Sequence, residues 1–294
     1  MKKQVIFEGV GTALVTPFTD GKIDYSSLGG LIDIQLEAGI DALVIGGTTA
    51  EAATLSDEER YDLFRYAKDR IAGRTRLIFG TGTNDTRLAV RHTEFASSLG
   101  CDGVLLVTPY YNRGTREGII RHYLTLADAS GVPILLYNVP SRTGVNLDTE
   151  ILARLAECEK IVGIKEASDS LDRLTSIAAL GEELWLYSGN DSQIYPTLAL
   201  GGRGVISVVS NLYPRATMEI CKLFFAKREA ESLALQQRMM PVINSLFLET
   251  NPAPIKFALS ERGLCRPDMR LPMWLPTEAC QKRVIRAIRE FTEE

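Results

Sequence analysis

Residues 161–168 read IVGIKEAS, an apolar run that ends on a lysine. Residues 133–139, PILLYNV, end in the same manner on a tyrosine, and a polar loop, PSRTG (140–144), follows. Both runs are too short for a globular helix and too continuously apolar for a strand with one wet face. They read as strands buried on both sides, the signature of parallel sheets. Six further runs share this character: VGTALVTPF (10–18), DALVIGG (41–47), RLIFGTG (76–82), GVLLVTP (103–109), ELWLYSG (183–189) and GVISVVS (204–210). Amphipathic segments separate them. In SDEERYDLFRYAKDRIAG (56–73), Ser56 and Glu59 have capping-box spacing and acidic residues fill the first turn. Leu63, Phe64, Ala67 and Ile71 share one helical face, and Gly73 suits the exit.

Eight β-α units over about 220 residues predict an α/β fold, a (β/α)8 TIM barrel. A doubly wound open sheet is the alternative, but its G-x-G-x-x-G loop is missing after the first strand. The strand pattern stops near residue 229. EAESLALQQRMMPVINSLF, APIKFALSERG and TEACQKRVIRAIREF read as helices, and Pro241 marks a start or a kink in the first. The expected organisation is a catalytic barrel over 1–229 and a helical extension over 230–294 packed on it.

Bulk properties narrow the function. The chain has 294 residues, 45% of them hydrophobic, and a net charge of −4. That balance argues against a nucleic-acid partner. No apolar run of about 18 residues suggests a membrane span, and Glu8 interrupts the N-terminal apolar stretch, which reads as a strand rather than a signal peptide. The five cysteines form no C-x-x-C pair, as expected of buried thiols in a reducing cytoplasm. The two histidines, His92 and His122, read as surface or packing residues, so neither a metal centre nor a histidine-based triad is expected.

Reactive groups in such barrels collect at the C-terminal ends of the strands. Alternation places Ile161, Gly163 and Lys165 on the inner face and Val162 and Ile164 on the outer one. Gly163 would leave room for the lysine side chain. An ordinary lysine, with pKa near 10.4, is neutral about once in 2,500 molecules at pH 7, and desolvation can make it a usable amine. Such an amine attacks a ketone and forms a Schiff base. The competing reading is a lysine that reaches the rim or pairs with a carboxylate. Tyr137, at a neighbouring strand end, can carry protons, with Thr48 and Tyr111 as links. The GGTT turn (46–49) offers N–H groups to a carboxylate, and Arg142 offers a two-pronged clamp for a second one. A packed tyrosine ring, a helix-capping threonine and a solvated loop arginine are the structural alternatives.

Together these residues resemble the dihydrodipicolinate synthase family, within the pyruvate-dependent class I aldolases that include N-acetylneuraminate lyase. The likeness runs over nearly the whole chain, through VTPF, GGTTAEAATL, GTGTND, VTPYYN, YNVPSRTG, GIKEAS, SGND, GVISV, NPAPIK and MRLPM. It implies a TIM barrel that needs no cofactor and condenses pyruvate with L-aspartate 4-semialdehyde in lysine biosynthesis. By the same resemblance, Lys165 forms the imine and Tyr137 relays protons through Thr48 to Tyr111 of a neighbouring subunit. Thr48 and Thr49 hold the pyruvate carboxylate, Arg142 binds the semialdehyde carboxylate, and Gly189 and Ile206 lie at the site. A homo-oligomer is implied, a dimer at least and usually a tetramer. Two positions depart from the family pattern. Ala50 replaces a glycine and would be strained if φ there were positive. Arg60 and Leu88 replace a histidine and a glutamate of the lysine-inhibition site, whereas Asn84 and Tyr110 remain, so weak or absent inhibition by lysine is expected. A sister aldolase or dehydratase acting on sugar-derived keto acids would lack the arginine of PSRTG. A non-catalytic acid sensor is the reading from outside enzymology.

Overall fold

The structure, a computed structural model, describes residues 2–292. Eight parallel strands close into a barrel: β1 (Gly9–Ala13), β2 (Ala42–Ile45), β3 (Arg76–Gly80), β4 (Gly103–Val107), β5 (Ile134–Asn138), β6 (Ile161–Glu166), β7 (Trp185–Ser188) and β8 (Gly204–Ser207). A helix follows each: α1 (Tyr25–Ala38), α2 (Asp57–Ile71), α3 (Thr86–Ser98), α4 (Arg116–Ala129), α5 (Thr149–Ala156), α6 (Leu171–Ala178), α7 (Ile194–Ala199) and α8 (Pro214–Phe225). Then come α9 (Glu229–Leu246), α10 (Ala253–Glu261) and α11 (Glu278–Glu290). The predicted (β/α)8 barrel with C-terminal helices is therefore the fold. Pro241 lies inside α9 rather than starting it. The first strand is shorter than its apolar run, because Phe18–Thr19 pair instead with Lys22–Ile23 in a small hairpin.

Local rules account for the helix starts. Ser56 and Glu59 exchange both capping-box hydrogen bonds, at 3.1 and 3.0 Å. Asp24, Thr115, Asp148 and Thr277 cap α1, α4, α5 and α11 with side-chain oxygens, each such cap contributing about 1 kcal/mol.

The core divides into two layers. An outer layer, including Leu43, Phe79, Leu106, Leu136 and Ile164, packs the strands against the helices. An inner layer, including Val44, Ile78, Leu105, Leu135, Trp185, Tyr187 and Ile206, fills the barrel. Ile6 and Phe7 belong to the inner layer and close its lower end. The Tyr187 hydroxyl donates to the Phe7 carbonyl at 2.7 Å, and Trp185 Nε1 donates to the Lys3 carbonyl at 3.0 Å. At this end β1 and β8 approach so closely that a Cβ on Gly204 would lie 1.8 Å from the Gly9 carbonyl oxygen.

One alternation differs from expectation. Ile134 pairs with Ile161 but Leu135 with Gly163, so β6 carries one extra residue. This bulge turns Ile161 outward to the helices and Val162 inward, the reverse of the simple alternation. Gly163, Ile164 and Lys165 keep the expected faces. The space beside Gly163 is occupied by Leu135 and by Trp185, whose atoms would lie 2.9 and 2.7 Å from an added Cβ. The glycine thus admits those neighbours rather than the lysine side chain.

Candidate active site

A cavity of about 340 Å³ opens at the C-terminal end of the barrel. It brings together Thr48, Thr49, Tyr137, Arg142, Lys165 and Gly189, which come from four separate strand ends. Register explains the central pair: Tyr137 on β5 lies directly opposite Lys165 on β6. Lys165 is 5% exposed. Its Nζ sits 4.3 Å from the centroid of the Tyr137 ring. The Nζ makes no hydrogen bond or salt bridge with any described residue. Neither the rim-reaching lysine nor the carboxylate-paired lysine is what the chain builds. A buried amine beside a phenol, open to a small cavity, is equipped to attack a carbonyl and to have protons moved for it.

Thr48–Ala50 form a single 3-10 turn after β2, with Thr49 and Ala50 buried. Ala50 is helical and carries no strain. The left-handed residue is the next one, Glu51, at φ 55°. Glu51 is held there by a fully buried ion pair with Lys256 of α10, N to O 2.7 Å. Lys256 Nζ also donates to the Thr16 carbonyl at 2.9 Å, and Glu51 accepts from the Arg270 backbone N–H at 3.0 Å. Burial pulls Lys256 below the usual lysine range, and the Glu51 carboxylate opposes that pull.

Asn251 stands between the threonine turn and the arginine. Its Nδ2 donates to Thr49 Oγ1 at 3.0 Å, while its carbonyl accepts from Arg142 Nη2 at 2.9 Å. Asp191 also lines the cavity. Its Oδ2 accepts from the Val208 and Val209 N–H groups at 3.0 and 2.9 Å. Burial pushes this carboxyl above the usual carboxylate range, against the Ser207 side chain, the two N–H groups and the nearby Lys165 charge. A Cβ on Gly189 would meet Ala167 Cβ at 2.6 Å and the Glu166 carbonyl oxygen at 2.9 Å, so this floor admits only glycine without a shift. Ile206 has its side chain in the inner barrel layer, and Val208, two residues further on, reaches the cavity wall.

Tyr111 is not brought to this cavity by its own chain. It is 85% exposed, with φ 71°, a conformation that is uncommon and strained for a bulky residue. Other apolar side chains are also open to solvent, among them Leu171, Leu271 and Trp274, the last 69% exposed.

A second cavity of about 440 Å³ shares Thr48, Tyr137, Arg142 and Asn251 with the first and extends to Arg60, Leu88, His92 and Tyr110. Arg60 is buried there, donating to the Gly80 and Ala52 carbonyls at 3.1 and 2.7 Å. His92 and His122 are buried packing residues, both lowered to about 4: His92 by burial and then by the Arg60 charge, His122 by burial alone. No group of three or more metal-ligating side chains occurs among the described residues.

Sequence reasoning does not single out Asn251, Asp191 or the Glu51–Lys256 pair. Their motifs, NPAPIK and SGND, are visible, but an asparagine before a proline reads first as a turn. Nothing local links residue 251 to residue 49.

Fold and site together define a barrel of the Schiff-base aldolase type, with a buried lysine and a tyrosine at adjacent strand ends. The chain belongs to the dihydrodipicolinate synthetase family, whose model matches residues 6–291. It is 45% identical over 269 residues to the 4-hydroxy-tetrahydrodipicolinate synthase of Clostridium novyi, covering 91% of each chain. The crystal structure of dihydrodipicolinate synthase from Thermotoga maritima matches with a TM-score of 0.95 at 38% identity, covering 97% of this chain and 99% of that one. The chloride-inhibited enzyme from Acinetobacter baumannii, complexed with pyruvate, matches with a TM-score of 0.94 at 40% identity, covering 96% and 98%.

Proposed function

We propose that this chain is a 4-hydroxy-tetrahydrodipicolinate synthase, which condenses pyruvate with L-aspartate 4-semialdehyde on the route to diaminopimelate and lysine. The observation that carries the reading is Lys165: buried, without a carboxylate partner, its nitrogen over the Tyr137 ring. The Lys165 amine adds to the keto carbon of pyruvate, and loss of water leaves an iminium. A methyl proton then departs to give an enamine, whose carbon attacks the aldehyde of the second substrate. Tyr137 carries the protons these steps move, through Thr48 to the partner subunit's Tyr111. Thr48 and Thr49 hold the pyruvate carboxylate, Arg142 takes the carboxylate of the semialdehyde, and Gly189 and the Ile206 main chain floor the site.

The outward Tyr111 supports a dimer as the smallest complete unit, and the exposed Leu171 supports a further, tetrameric contact. The free state of all five cysteines supports a reducing compartment, the cytoplasm. No described helix is long and apolar enough to cross a membrane.

Borohydride reduction in the presence of pyruvate, read by mass spectrometry, tests the chemistry. One reduced pyruvyl adduct per chain on Lys165, absent from Lys165→Ala, is expected. No adduct would leave an acid-binding sensor instead. Turnover with N-acetylmannosamine in preference to aspartate semialdehyde would assign a sister aldolase.

A further inference from the structure

We propose that Asn251 is a positioning residue for the first substrate: its side-chain amide fixes which way the Thr49 hydroxyl proton points. This inference rests on the synthase reading above. Asn251 is 5% exposed and borders both cavities. Its Nδ2 donates to Thr49 Oγ1 at 3.0 Å. A hydroxyl has one proton to give and room to accept. Because Thr49 accepts from Asn251, its own proton is left to donate, and the acceptor that the reaction brings to this turn is the pyruvate carboxylate. The Asn251 backbone is itself held from the other side, where its main-chain carbonyl accepts from Arg142 Nη2 at 2.9 Å. One residue therefore ties the threonine turn to the arginine arm, although more than 100 positions separate it from either in the sequence.

The direction of the hydrogen bond makes the inference testable. Asn251→Asp keeps the volume but reverses the bond: a carboxylate only accepts, so it takes the Thr49 proton and adds a negative charge near the substrate's own. Asn251→Ala merely frees the hydroxyl. Steady-state kinetics should show the pyruvate KM rising about 3- to 10-fold for the alanine variant, the range of one neutral hydrogen bond. The rise should be larger for the aspartate variant, about 100-fold. The KM for aspartate semialdehyde should change by less than about 3-fold, because the Arg142 contact uses the main-chain carbonyl. In a Thr49→Val background, Asn251→Ala should add less than about 2-fold, since its effect runs through the hydroxyl.

An alanine penalty equal to or larger than the aspartate penalty, or full additivity with Thr49→Val, overturns the inference. If the alanine variant does not fold, the volume-conserving aspartate variant decides alone: a pyruvate KM within about 2-fold of the unsubstituted chain overturns the proposal. Borohydride trapping at saturating pyruvate separates the two levels. Absence of the Lys165 adduct in the unsubstituted chain defeats the synthase reading, whereas a normal adduct with the wrong order of variants defeats only the role of Asn251.

Discussion

Replacing Glu51 by Gln should destabilise the whole barrel while touching no reacting atom. The Glu51–Lys256 pair has its oxygen and nitrogen 2.7 Å apart, with side chains 1% and 0% exposed. Lys256 Nζ also lies 4.4 Å from the Phe18 ring centroid. Glu51→Gln leaves an ammonium sealed in this site with one carbonyl and a neutral amide for company. Removing one partner of such a pair costs about 3–5 kcal/mol, because the remaining charge is desolvated and uncompensated. In a chain of this size each kcal/mol lowers Tm by about 2–4 °C, so a fall of about 6–20 °C is expected. Lys256→Met should also be destabilising, because it leaves the buried carboxylate with the Arg270 N–H as its one remaining hydrogen bond and the Arg270 guanidinium, itself paired with Glu59, as the nearby positive charge. Combining Glu51→Gln with Lys256→Met removes both charges, and the double variant should recover about 2 kcal/mol or more relative to the sum of the singles. Thermal unfolding at pH 7, followed by circular dichroism on all four proteins, reads the cycle directly. Strict additivity, or single losses below about 1 kcal/mol, would refute the view that the pair is a sealed electrostatic unit.

Three further outcomes are expected. Gly189→Ala pushes a Cβ to 2.6 Å from Ala167 Cβ and 2.9 Å from the Glu166 carbonyl. A shift approaching about 1 Å next to Lys165 should lower kcat/KM by about 100-fold with a modest loss of Tm, and unchanged kinetics would argue against a tight floor. His122 is held at about 4 against an ordinary 6.5, so the unfolded chain binds the proton first as pH falls. Stability should be fully present above about pH 6.5 and should decline towards about pH 4 by about 3 kcal/mol for this group. His122→Gln should flatten part of that decline in urea titrations, and an unchanged slope would contradict the assignment. Free lysine should inhibit weakly or not at all, because the cavity beside Tyr110 offers an ammonium a cationic Arg60 and an apolar Leu88; half-inhibition below millimolar lysine in a steady-state assay would refute this.

The barrel is legible because eight apolar runs alternate with amphipathic segments, and because a lysine closing one of them has few structural uses. The bulge is not: the extra residue in β6 is fixed by pairing with β5, and nothing in IVGIKEAS marks Val162 as the residue that turns inward. The turn at Thr48–Ala50 shows the same limit. The family pattern makes Ala50 the suspect position, yet the left-handed geometry falls on Glu51, where a buried lysine about 200 residues away supports it. Asn251 and Asp191 likewise gain meaning only from neighbours distant in sequence. Tyr111 is recognisable from its motif, but its outward placement depends on a backbone twist that one letter does not encode.

The seal at the foot of the barrel has a practical consequence. The chain has two tryptophans. Trp185 is walled in there, beneath the Arg203 guanidinium at 4.0 Å, whereas Trp274 stands in solvent on the opposite kind of terrain. Their emission should therefore separate by colour: a blue, quenched band tracking integrity of the barrel foot and a red one tracking whatever covers residue 274. A single spectrum could then distinguish assembly from unfolding without any added dye.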